Sequence, residues 1–313
     1  MKITGTFLDE ISVDIPHQNW SEKEWELDFQ SMKLAGIDTV IVIRCGLERF
    51  ITYPSKILMG HRGCYRPPVD LIDMFLRLAD RYDMKFFFGL YDSGCFSRPW
   101  EVGTLYSELD DAKAVAEEAW TMYGHHKSFQ GWYLNYEIAI SKKFPEAMTE
   151  ILDYNNKLGS FAKSISGNLP ILISPYIAGV KAGCTGEELV SVEEHAKKWE
   201  EILSTLEGTV DILAFQDGHC EYHELQEYLS INKEIADRHG MTSWTNCESF
   251  DRDMPIHFLP IKWEKMRLKL EAAAKVGMEK AITFEFSHFM SPNSMYQSAH
   301  GLFDRYMEYI AEK

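Results

Sequence analysis

The chain has 313 residues, 45% of them hydrophobic, which is enough to bury a large core. Its formal net charge is -16 and no Lys/Arg-rich run offsets it. Nucleic acid is therefore excluded as a partner, because phosphate binding needs a dense basic surface. The longest apolar stretches are strand-sized, so no membrane partner is expected either.

The six cysteines (Cys45, Cys64, Cys95, Cys184, Cys220, Cys247) include no C-x-x-C pair and no short cluster with histidine. That spacing fits neither a zinc module nor a disulfide scaffold, and small buried thiols are expected. The N-terminus enters an apolar strand at once, without the charged and apolar segments of an export signal. As written, the chain is expected in the cytoplasm, or outside it if a leader has been removed.

In chain order, short runs rich in Ile, Val, Phe and Leu recur, each followed by a helical pattern. The first strand is expected at 3–9. A helix carrying Trp25, Phe29 and Met32 on one face leads to the second at 36–44. A helix around Leu71, Phe75 and Leu78 leads to the third at 84–92, and the fourth is 129–138. The fifth and sixth are 169–176 and 210–218. The seventh, 241–250, is the least apolar, and the eighth, 280–289, precedes a last helix.

Eight strands alternating with helices over this length predict an α/β fold, a (β/α)8 TIM barrel, as one domain over 1–313. The rival is a doubly wound sheet, which would usually split here, and no Pro/Gly/Ser-rich linker divides the chain. Long βα loops are expected at the C-terminal face, after strands two (45–68), three (93–108), five and seven.

Polar residues collect at the C-terminal strand ends: Asp9, Arg44, Tyr91, Asp92, Asn135, Glu137, Tyr176, Gln216, Asp217, Asn246, Glu248 and Glu285. Alternation puts Tyr133, Asn135 and Glu137 on one face of strand four, and Trp244, Asn246 and Glu248 on one face of strand seven. For strand eight the expected inward set is Thr283, Glu285 and Ser287, with Phe284 and Phe286 outward.

Strands four and seven face each other across a barrel mouth, so Glu137 and Glu248 are candidates for two-carboxylate glycoside hydrolysis. One would protonate the leaving oxygen and the other would flank the anomeric carbon. A third glutamate nearby would raise the pKa of one partner. The structural alternative pairs each acid with a base such as Arg44 or Lys85. Glu285 has three readings: substrate acceptor, third catalytic carboxylate, or buried partner of Arg44.

Asp9, Arg44, Tyr91, Asn135, Tyr176, Gln216, Asp217, Trp244, Asn246 and Glu285 are the candidate substrate contacts. Sugar rings bind aromatic faces, and Phe96, Trp100, Phe250, Phe258 and Tyr296 also fall near strand ends; Trp244 and Tyr176 are the preferred platforms. His219, His223 and His288 with Asp217 could hold a metal, but strand one lacks the paired histidines of metal-dependent hydrolase barrels. No metal or cofactor is expected.

The segments "ITGTFLDE", "WELDFQSMKLAGIDTVIVIR", "GWYLNYEI" and "ITFEFSHFMSP" resemble a domain-of-unknown-function family of glycoside-hydrolase-like TIM barrels, over nearly the whole chain. The large retaining clan of barrel glycosidases has its acid/base on strand four after an Asn, and its nucleophile on strand seven. The similarity implies Glu137 as acid/base and Glu248 as nucleophile, with a carbohydrate substrate. One departure is that Tyr136 separates Asn135 from Glu137, which are adjacent in that clan. Two other readings stand beside it: a sugar-binding barrel without catalysis, and a metal-dependent hydrolase or isomerase using Glu137, Asp217, His219 and Glu285.

Overall fold

The computed structural model describes residues 1–12, 15–94, 103–138, 140, 145–185, 188–252 and 258–312. Phe96, Trp100, Cys95 and the side chain of Cys184 lie outside the described residues.

Eight parallel strands close into a barrel: β1 (Ile3–Leu8), β2 (Thr39–Val42), β5 (Lys85–Gly89), β7 (Phe129–Leu134), β8 (Ile171–Ile173), β9 (Ile212–Gln216), β10 (Thr242–Asn246) and β13 (Lys280–Thr283). Spatial order follows chain order, and β1 pairs with both β2 and β13 to complete the ring. Short strands sit beyond the C-terminal ends. β3 (Gly46–Leu47), β4 (Phe50–Ile51) and β6 (Tyr91–Asp92) form one sheet, and β11 (Phe250–Asp251) pairs with β12 (Leu259–Pro260).

The helices are α1 (Glu22–Ala35), α2 (Lys56–His61), α3 (Leu71–Tyr82), α4 (Thr104–Tyr123), α5 (Pro145–Ile165), α6 (Val192–Leu206), α7 (Tyr222–Arg238), α8 (Trp263–Val276), α9 (Phe286–Phe289) and α10 (Gln297–Ala311). On α1 the apolar stripe is buried as its spacing requires: Trp25, Phe29 and Met32 are at most 1% exposed. Glu24 accepts the Ser21 N–H at 2.9 Å to open the helix.

Strand alternation divides the core in two. Phe7, Ile41, Phe87, Tyr133, Leu172, Ala214 and Ile282 fill the barrel interior. Trp132, Leu134, Phe86, Phe88 and Cys247 lie under the helices with α1, α3 and α8. Gly131 is glycine because a Cβ there would come 2.2 Å from the interior Phe87 ring.

The expected strands run long at their C-terminal ends. The fourth stops at Leu134 and the seventh at Asn246, and 286–289 of the expected eighth strand is the helix α9. Past the level where neighbours pair on both sides, the backbone finds other partners: β6 pairs with β3 and β11 with β12. Among the described residues Cys45, Cys64, Cys220 and Cys247 are free and buried. No described helix is long and apolar enough to cross a membrane.

Candidate active site

A cavity of about 160 Å³ opens at the C-terminal mouth of the barrel. Its floor is apolar, built from Phe7, Ile43, Tyr133 and Phe284. Arg44, Glu137, Ser174, Gln216, Asn246, Glu248 and Arg252 make the walls, and Ile15, Phe250 and Phe258 stand at the side. The peptide joining Phe284 to Glu285 is cis.

Glu137 follows β7 and continues the inward parity of Tyr133, which lies in the floor below it. It is half-buried, facing the cavity. Burial raises its pKa, a hydrogen bond from Gln216 and the charges of Arg44 and Arg252 oppose this, and Glu248 adds to the rise. The net direction is up.

Glu248 is 2% exposed, and its pKa shifts in the opposite direction. Arg252 holds both its oxygens, Nε to Oε2 and Nη2 to Oε1, each at 2.8 Å. Burial works against the Glu248 charge, but Arg252, Lys269 and His219 outweigh it and hold the carboxyl below its usual range. Gly218 makes room for this pair: a Cβ there would stand 1.9 Å from Glu248 Oε2 and 2.4 Å from Arg252 Nε.

Beneath Glu248 lies a second, fully buried ion pair. Lys269 Nζ donates to Asp217 Oδ1 at 2.7 Å and to the Glu248 carbonyl at 3.1 Å. Asp217 Oδ1 also accepts the Glu248 N–H at 3.1 Å.

Arg44, Gln216 and Asn246 line the same cavity as the two glutamates. Arg44 pairs with Asp92 at 2.9 Å, not with Glu285 or either cavity acid. The other expected contacts are elsewhere, each for an identifiable reason. Asp9 turns back on its own loop, accepting the N–H groups of Ile11 (3.0 Å) and Ser12 (2.9 Å). The Tyr91 hydroxyl donates to the Glu48 carbonyl at 2.6 Å, within the β3–β6 sheet. Asn135 is buried outside the cavity lining.

Tyr176 bridges to Gln216 through backbone and sets its ring against His219, away from the lining. Asp217 is committed to Lys269. Trp244 does face inward, but deep in the barrel, with the Lys280 ammonium 5.2 Å from its ring and Phe87 packed edge-on. It is interior filler at the level where β13 begins, not a platform.

Glu285 is a correction of parity. Ile282 and Phe284 face inward, so Thr283 and Glu285 face out. Glu285 caps α9 through the N–H groups of Ser287 (3.0 Å) and His288 (2.6 Å), and also binds His288 Nδ1. His288 Nε2 reaches the Pro16 carbonyl at 2.9 Å, so both ring nitrogens face acceptors. The metal reading loses Asp217 and Glu285 to these partners. Among the described residues no three His, Cys, Asp or Glu side chains gather as metal ligands.

Arg252, Ser174 and Lys269 were not anticipated. Lys269 left a signal: with Met266, Leu270 and Ala273 it falls on the buried stripe of α8, where a lysine needs a partner. Arg252 follows Glu248 by four residues in a loop, a spacing with no meaning outside a helix.

Solved glycoside hydrolases share the parallel-barrel fold of this chain. An endo-1,4-beta-D-mannanase from Thermotoga petrophila superposes with a TM-score of 0.61 at 13% identity, covering 91% of this chain and 87% of that one. An intracellular xylanase from Thermoanaerobacterium saccharolyticum gives 0.55 at 12%, covering 91% and 85%. These likenesses concern the fold. The chain belongs to the family described as Domain of unknown function (DUF4434), which matches residues 3–296. A protein from Bacteroides thetaiotaomicron, provisionally named an alpha-L-fucosidase, is 56% identical with a TM-score of 0.91, covering all of this chain (100%) and 94% of its own. Among curated proteins none matches.

Proposed function

We propose that the protein is a retaining glycoside hydrolase in which Glu137 is the acid/base and Glu248 the nucleophile. The observation that carries this is one cavity lined by two glutamates whose pKa values are driven apart, up for Glu137 and down for Glu248. In the first step Glu137 gives its proton to the glycosidic oxygen as the Glu248 carboxylate attacks the anomeric carbon, breaking the C–O bond and forming a glycosyl ester. In the second, Glu137 takes a proton from water, which displaces Glu248 and releases the sugar. Nothing in this route calls for a cofactor. A cavity of about 160 Å³ suits a single terminal ring better than an extended chain.

The test is turnover of a panel of p-nitrophenyl glycosides, starting with the alpha-L-fucopyranoside because of the name given to the 56% identical protein. Glu137→Gln and Glu248→Gln should each remove turnover while the circular dichroism spectrum keeps its folded shape, with a lower melting temperature expected for Glu248→Gln because Arg252 loses its ion pair. Full activity in both variants would falsify the proposal. A second reading, a sugar-binding barrel without catalysis, is favoured by the grip of Arg252 on both Glu248 oxygens. It predicts binding of a glycoside with no cleavage, undiminished in the Glu248→Gln protein.

A further inference from the structure

Ser174 lies one residue beyond β8 and lines the cavity. Its hydroxyl donates to the Ala214 carbonyl at 2.7 Å. Asn246 Nδ2 approaches the same hydroxyl oxygen at 3.2 Å. A hydroxyl has one proton to give. With that proton committed to Ala214, Ser174 Oγ can only accept from Asn246. The amide is therefore oriented by chemistry: its nitrogen faces Ser174 and its oxygen faces away. Asn246 is 2% exposed and lines the cavity, and among the described residues its Oδ1 has no hydrogen-bond partner.

A buried acceptor without a donor is costly in any folded protein, and one carried by a residue of the cavity lining can be satisfied by what enters there. The Ser174 carbonyl also accepts from Gln216 Nε2 at 2.6 Å, and Gln216 hydrogen bonds the Glu137 carboxyl. Ser174 thus orients two amides of the cavity wall. Arg44 Nε, buried and unpartnered among the described residues, offers the opposite polarity, a donor.

We propose that Asn246 Oδ1 is the acceptor for one ring hydroxyl of the sugar, and that Ser174 is the positioning residue that fixes this polarity. The ligand is then a polyhydroxylated ring with one hydroxyl donating to Asn246 and an oxygen accepting from Arg44. A ring that is deoxygenated or O-methylated at the first of these positions is rejected, because Asn246 would stay buried and unpaired. The inference rests on the glycosidase reading of this cavity and adds its specificity.

The test uses whichever of the p-nitrophenyl alpha-L-fuco-, beta-D-galacto-, beta-D-xylo- and beta-D-mannopyranosides the wild type cleaves, together with its monodeoxy analogues. One analogue should lose about 10–100-fold in kcat/KM on the wild type. Asn246→Leu should show a similar loss on the parent glycoside and no further loss on that analogue. Ser174→Ala frees the amide to rotate and should shrink the discrimination between parent and analogue, with Ser174→Thr restoring it. Losses that simply add for Asn246→Leu, or unchanged discrimination in Ser174→Ala, overturn the inference. Should Asn246→Leu fail to fold, the Ser174 variants decide alone. A wild type that cleaves none of the parent glycosides defeats the glycosidase reading and this inference with it, before any variant is made.

Discussion

Lys269 and Asp217 form a buried ion pair that clasps the backbone of one residue on both sides: Asp217 takes the Glu248 N–H and Lys269 gives to the Glu248 carbonyl. Burying two charges is expensive, and a pair of this kind is weak evidence for stability as such. Its geometry fixes where the Glu248 side chain leaves the backbone. Burial opposes the Lys269 charge, yet Asp217 and Glu248 hold the ammonium protonated above its usual range.

Replacing Lys269 with Met strands Asp217, and should cost about 3–5 kcal/mol in denaturant unfolding. The double variant Asp217→Leu/Lys269→Met should recover most of that loss while leaving turnover low, because the Glu248 backbone is no longer gripped. Recovery of activity together with stability would mark the pair as packing alone.

The opposed pKa directions of Glu137 and Glu248 predict a bell-shaped pH dependence of kcat/KM. Activity rises as Glu248 ionises, below the usual carboxylate range, and falls as Glu137 loses its proton, above it. Arg252→Met removes the nearest cation from Glu248, so the acid limb should move to higher pH and the bell should narrow. An acid limb that stays in place would dissociate Arg252 from the ionisation of Glu248.

Gly218→Ala places a methyl group against Glu248 Oε2 and Arg252 Nε, closer than any real contact allows. Both groups must shift, at a cost of about 1–3 kcal/mol. Turnover should fall by about tenfold or more, since a small misplacement of a reacting group is amplified in the rate. Thermal unfolding and a kcat measurement on the same preparation separate the two effects.

His288 is buried between Glu285 and the Pro16 carbonyl, with Glu10 and Asp9 also near its charge. Burial disfavours its charge, but Glu285 first and then Glu10 and Asp9 raise its pKa to about 9, above the ordinary 6.5. A folded-state pKa that is raised gives stability present in full below 6.5 and lost as the pH climbs through 9. Glu10, pushed up to about 7 by burial, acts in the same direction over a lower window. Unfolding free energy should therefore drop by about 1–3 kcal/mol between neutral and mildly alkaline pH. His288→Asn should flatten that slope, and an unchanged slope would assign it to other groups.

Period-two alternation put Glu137 and Glu248 in line with the inward faces of β7 and β10, just past their last residues, because the alternate residues Trp132, Leu134 and Cys247 pack outward under the helices. The same rule failed on β13, where both faces carry bulky or polar residues in turn. Assigning the polar set to the mouth put Glu285 inside, whereas the apolar floor needed Phe284. Trp244 exposes another limit: parity gives the side of the sheet but not the height along the barrel axis, and this ring lies at the level of Lys280.

Hydrophobic periodicity is local, so the order of elements, the closed parallel barrel and the strand ends at which Glu137 and Glu248 follow were determined by the sequence alone. Only the tertiary structure decided which base each acid meets. Glu248 with Arg252, Asp217 with Lys269 and Arg44 with Asp92 are pairings made by loops and by barrel closure. Charge acts through space over a few ångströms, and no spacing along the chain encodes that distance.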